Sequence, residues 1–115
     1  MKRLAIIVAS CFAAITAAVA QQPTVALKDI YIRDPYILAD PRSGRYYMYR
    51  STGSDDTPNP KGAVEAFTSD DLENWSGPVR VFDVPDDNWI TGRVWAPEVH
   101  YYKGKYYLFA TLNSD

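Results

Sequence analysis

Beyond residue 20 the apolar and aromatic residues of this chain fall into short runs, and none recurs with the period of a helix. Tyr36 to Ala39, Arg45 to Ser51, Ala63 to Thr68 and Val79 to Asp83 predict four strands, and Glu98 to Tyr102 and Lys105 to Thr111 predict two more. Turn formers separate them. Ser43-Gly44 and Lys103-Gly104 are tight turns, and Ser51 to Lys61, dense in Ser, Thr, Asp, Asn, Pro and Gly, is a surface loop. Ser69 to Trp75 is a polar turn whose Leu72 and Trp75 can fold back onto the strand before it. Val84 to Arg93 is a second long connection. Residues 21–31 lead into this pattern without a clear period of their own. The expected fold class is all-β.

The pattern also repeats. Asp34-Pro35-Tyr36-Ile37-Leu38, the Ser43-Gly44 turn and Arg45-Tyr46-Tyr47-Met48-Tyr49 form one copy. Trp95-Ala96-Pro97-Glu98-Val99-His100, Lys103-Gly104 and Lys105-Tyr106-Tyr107-Leu108-Phe109 form the other. Each copy is a hairpin with a carboxylate beside a proline where its first strand begins. Hairpins that present an acid at the same end each time are how a propeller gathers carboxylates around its axis, with four antiparallel strands to a blade. Two facing carboxylates are the equipment for hydrolysing a glycosidic bond. The second copy has two of four strands when the sequence reaches Asp115, which would leave an unpaired edge. Residues 32–115 therefore read as the N-terminal part of a longer propeller.

The first 20 residues read as an export signal. Lys2 and Arg3 form a positive start, Leu4 to Thr16 is apolar or small, and Ala18-Val19-Ala20 fits a cleavage site that leaves Gln21 as the new terminus. Lipidation at Cys11 and retention as a membrane span are the weaker readings: apolar residues continue past Cys11, and the run is short for a bilayer. Cleavage removes the single cysteine, so neither a disulfide nor a cysteine metal site remains. It also removes two of the 12 basic residues and none of the 14 acidic ones, taking the net charge from −2 to −4. A mildly acidic chain with no basic cluster excludes nucleic acid as a partner, and no membrane partner is expected after signal removal. The expected location is periplasmic or extracellular.

Three stretches together carry a family resemblance: Ile32-Arg33-Asp34-Pro35-Tyr36-Ile37, Phe67 to Trp75, and Trp95 to Tyr107. In this order and spacing the chain, from about Ile32 to Thr111, resembles the family 43 glycoside hydrolases. The resemblance implies a five-bladed β-propeller that acts on arabinose- and xylose-containing plant polysaccharides. It also implies an inverting mechanism with three acids: a base aspartate, a second acid that tunes pKa and orients its partner, and a general-acid glutamate.

Asp34 matches the base, which must take a proton from a water on the far side of the sugar ring from the leaving group. An isolated Asp-Pro would simply start a strand or turn, as Asp40-Pro41 is expected to do. Pro35 is expected to hold Asp34 extended. Glu98 matches the second acid, although the family more often has aspartate there. Trp95, Pro97 and Val99 alternate with it, which predicts an apolar face opposite one shared by Glu98 and His100. No residue between His100 and Asp115 matches the general acid, so the sequence up to Asp115 is expected to be inactive by itself.

Trp89, Trp95 and Arg33 are the candidates for substrate binding, the tryptophans as stacking platforms and Arg33 as a hydroxyl contact beside Asp34. Trp75 reads as structural. His100 has no second ligand in view, so neither metal nor cofactor is expected. The expected partner is a polysaccharide or oligosaccharide. The rival readings are an exported carbohydrate-binding propeller without catalysis and a secreted β-domain that binds protein.

Overall fold

A computed structural model describes residues 23–52, 61–86, 89–90 and 93–114. The expected export signal, with its expected cleavage after Ala20, and most of the Ser51 to Lys61 loop lie outside the described residues.

Among the described residues, seven strands form two antiparallel sheets. The first contains β1 (Thr24–Ala26), β2 (Tyr36–Asp40), β3 (Arg45–Ser51), β4 (Ala63–Ser69) and β5 (Asn74–Asp83), in the spatial order β1-β5-β4-β3-β2. The second is the hairpin of β6 (Val94–Tyr102) and β7 (Lys105–Leu112). The fold is all-β, one blade and a hairpin of the next, and thus part of a propeller. A single 3-10 turn, Leu27–Asp29, follows β1.

Three departures from the sequence pattern exceed one residue, each for a local reason. The lead-in segment contributes β1, which pairs Thr24 with Ser76 and Ala26 with Asn74. Three residues are too few to display a period. β5 begins at Asn74 rather than Val79, because the Asp71 carboxylate finishes the preceding turn early. It accepts hydrogen bonds from the Glu73 and Asn74 backbone N–H groups at 2.9 and 2.7 Å and from Asn74 Nδ2 at 2.9 Å. Gly77-Pro78 reads as a breaker, yet the strand passes through it. The ladder shifts register between Ala66 and Thr68 of β4, where Pro78 has no N–H to contribute. β6 begins at Val94 rather than Glu98, with a bulge at Ala96-Pro97 hidden in its first half.

The two faces of the blade are packed by different partners. On one, Met48, Phe67 and Trp75 are buried, with Ile30, Ile32 and Tyr46 against them. Trp75 is wholly enclosed and donates its indole N–H to the Leu72 carbonyl at 3.1 Å, which makes it structural as expected. Loss of such a ring from a core costs about 3–5 kcal/mol. On the other face Val64, Val84, Ile90 and Val94 are buried under Tyr49, Phe82, Leu108, Ala110 and Leu112. That second cluster joins the hairpin to the blade and fixes β6 beside β2 and β3.

Candidate active site

Asp34 lies exposed in a bend just before β2, and its backbone departs from expectation. Its φ is +48°, in the left-handed region, not extended. Aspartate tolerates this region better than most residues. The position before a proline is nonetheless a sparsely populated place for it. The second copy does the same thing: Ala96, before Pro97 in β6, has φ +44°. One backbone device thus recurs at the N-terminal side of the acid-bearing segment in each copy: before β2 in one and early in β6 in the other. In one copy the acid occupies the strained residue, and in the other it stands two residues later, at Glu98. Residues held in such conformations cost on the order of 1–3 kcal/mol and concentrate at functional sites.

The Ala96-Pro97 bulge also corrects the predicted face of Trp95. Trp95 pairs with Thr111 and Glu98 with Phe109, so two residues of β6 oppose the single Ala110 of β7. The extra residue breaks the alternation. Pro97 and Val99 are buried as expected, but Trp95 is 43% exposed, on the outward side with Glu98. Glu98 Oε2 lies 3.1 Å from His100 Nε2. The His100 ring touches Tyr36 of β2 at 5.6 Å and Phe109 of β7 at 5.9 Å. Tyr36 is two residues from Asp34, so the segments bearing the two candidate acids meet through this ring contact. Glu98, His100, Tyr102, Tyr107 and Phe109 together line an open concavity of about 890 Å³.

Arg33 and Trp95, from different copies, line one pocket of about 190 Å³ together with Tyr31, Arg50, Thr52 and Arg93. Trp89 lines neither hollow. It stands 66% exposed in the connection before β6, while its neighbour Ile90 is buried in the core. Asp40, the other Asp-Pro aspartate, ends β2 and is buried. Its carboxylate accepts hydrogen bonds from Ser43 Oγ at 2.7 Å and from the backbone N–H groups of Arg42 and Ser43 at 3.2 Å. The Ser43 hydroxyl chiefly holds its pKa below the ordinary carboxylate value, against a smaller upward push from burial. This is a turn anchor, as its pattern suggested. Among the described residues no three His, Cys, Asp or Glu side chains gather as metal ligands.

The model of the glycosyl hydrolases family 43 matches residues 24–115. The chain belongs to family 43 of the glycosyl hydrolases. This family 43 chain is also similar to the crystal structure of an endo-arabinase from Bacteroides thetaiotaomicron VPI-5482, with a TM-score of 0.69 and 29% identity. The likeness covers 82% of this chain and 30% of that one, so the chain spans less than a third of the structure it matches. None of the curated proteins matches it significantly.

Two positioning residues of the family 43 chain escaped the sequence reading. Arg50 in β3 donates from Nε and Nη2 to Glu65 Oε2 of β4 at 3.2 and 2.9 Å, and from Nη1 to the Tyr31 carbonyl at 3.1 Å. Glu65 thereby fixes Arg50, and Arg50 fixes the segment that presents Arg33 and Asp34. The signal was the opposite charges at facing positions, Arg50 opposite Glu65, which can be read only once the β3–β4 register is known.

Proposed function

We propose that the protein to which this chain belongs is an exported hydrolase that cleaves glycosidic bonds in arabinose- or xylose-containing polysaccharides with inversion at the anomeric carbon. Family membership supports the reaction class, the endo-arabinase likeness supports the arabinose-containing substrate, and the signal-like first 20 residues support export. The observation that carries the catalytic reading is the pairing of the two acid-bearing segments through Tyr36 and His100.

In this reading Asp34, open to solvent, takes a proton from water as the water oxygen attacks the anomeric carbon. The glycosidic oxygen leaves with a proton from a general acid elsewhere in the full-length protein. Glu98, steadied by His100, acts by its negative charge on that donor's pKa. Trp89 and Trp95 offer aromatic faces for sugar rings.

The test is the configuration of the first product. Full-length protein is incubated with an α-linked arabino-oligosaccharide, and proton NMR follows the anomeric signals before mutarotation. The β-anomer appearing first supports the proposal. The α-anomer, or binding without any hydrolysis, contradicts it, and the latter leaves a carbohydrate-binding propeller.

A further inference from the structure

We propose that Tyr31 and Trp95 are the aromatic walls of a subsite for one neutral sugar ring, next to the ring whose bond is cleaved. Its place in the reaction rests on the hydrolase reading, whereas the subsite itself rests on how the two side chains are presented. Tyr31 lies three residues before Asp34, and Trp95 three residues before Glu98. Although they come from different copies of the repeat, both line the hollow of about 190 Å³.

Tyr31 is 86% exposed, the most of any large apolar side chain among the described residues. A surface aromatic means little by itself, but this one is held out by a fixed backbone. Ile30 and Ile32, on either side of it, pack against the Met48, Phe67 and Trp75 core. The Tyr31 carbonyl accepts a hydrogen bond from Arg50 Nη1 at 3.1 Å, and Arg50 is tied in turn to Glu65. The side chain is thus directed to solvent while both neighbours are directed inward. Trp95 reaches the same hollow by another route, since the extra residue at Ala96-Pro97 moves it to the outward side of β6. Aromatic faces fixed in advance lose little freedom when a ring packs on them.

Charge and size narrow the ligand. Of the three arginines that line the hollow, Arg50 is balanced by Glu65 and Arg93 has partners of its own within the fold. Arg33 takes part in none of the ion pairs among the described residues. One exposed guanidinium beside two engaged ones offers hydrogen-bond donors to hydroxyls without calling for a charged ligand. The volume is below the roughly 300–1,000 Å³ usual for drug-sized ligands, which leaves room for a single ring. A neutral sugar has a C–H face for the aromatic walls and hydroxyls for Arg33.

The test titrates the full-length protein with a sulfur-linked α-arabinotriose, which resists hydrolysis, by isothermal calorimetry. Tyr31→Ala and Trp95→Ala should each weaken binding by roughly two- to tenfold. Tyr31→Phe should keep the wild-type affinity, because the ring face and not the hydroxyl makes the contact. The melting temperature of Tyr31→Ala should be unchanged, since the side chain is exposed and its carbonyl stays in place. Affinity should be alike at low and high salt, because the ligand carries no charge. No binding to wild type, undiminished binding in either alanine variant, or equal loss in Tyr31→Phe would each overturn the proposal. Hydrolysis of the ordinary oxygen-linked arabinotriose decides the hydrolase reading separately. A protein that binds through Tyr31 without hydrolysing defeats that reading and leaves the subsite. One that hydrolyses while Tyr31→Ala binds like wild type defeats the subsite alone.

Discussion

The ring of Tyr36 lies 5.6 Å from that of His100 and is tilted 52° to it, joining β2 of the blade to β6 of the following hairpin. Through His100 the contact extends to Glu98 at 3.1 Å, and through Pro35 it extends to Asp34.

Glu98→Gln in the full-length protein tests the charge at one end of this arrangement. A neighbouring carboxylate raises the pKa of a proton donor, so a neutral amide lets that pKa fall. The basic limb of the pH–rate profile should then move to lower pH by about one unit, with turnover reduced at neutral pH. An unmoved profile would remove Glu98 from the reaction.

Arg50→Ala tests the support beneath Asp34. It releases the Tyr31 carbonyl and leaves Glu65, whose side chain is only 13% exposed, without its cation. The loss should be about 1–3 kcal/mol in stability, read by denaturant unfolding. The turnover number should fall more than KM rises, because the Asp34 segment is no longer held. Arg50→Lys should recover part of the stability but little of the turnover, since an ammonium lacks the fork that reaches both partners.

The strands were legible because each copy bears the same punctuation: a proline, a glycine turn and a tyrosine-rich run. What escaped was set by single residues acting against the pattern. Ala96-Pro97 inserts an extra residue and moves Trp95 to the outward side. Gly77-Pro78 lies within β5, and Asp71 ends a turn two residues earlier than its polar run suggested. The left-handed backbone of Asp34 was hidden because proline ordinarily favours an extended neighbour. The Arg50–Glu65 pair depends on a register that composition does not encode.

Stability should depend on pH through Asp71 and Asp40. Hydrogen bonds led by the Asn74 side chain place the Asp71 pKa well below the usual carboxylate value, and those led by the Ser43 hydroxyl lower that of Asp40. Both carboxylates are thus more acidic folded than unfolded. Their contribution is fully present above the unfolded value, near pH ~4, and is lost as pH falls from there through the folded values. The melting temperature should drop between pH 6 and pH 3. Asp71→Asn should lie below wild type at pH 6 and approach it as the pH is lowered. A constant gap between the two curves would contradict this.

The central claim is that Asp34 is the base. Turnover of an arabino-oligosaccharide by full-length Asp34→Asn, beside wild type, tests it most directly. The amide keeps the shape of the side chain but takes no proton from water. The account predicts turnover lower by ~10²–10⁴-fold with substrate affinity nearly unchanged, because the group acts mainly in the transition state. Turnover within a few-fold of wild type would contradict it.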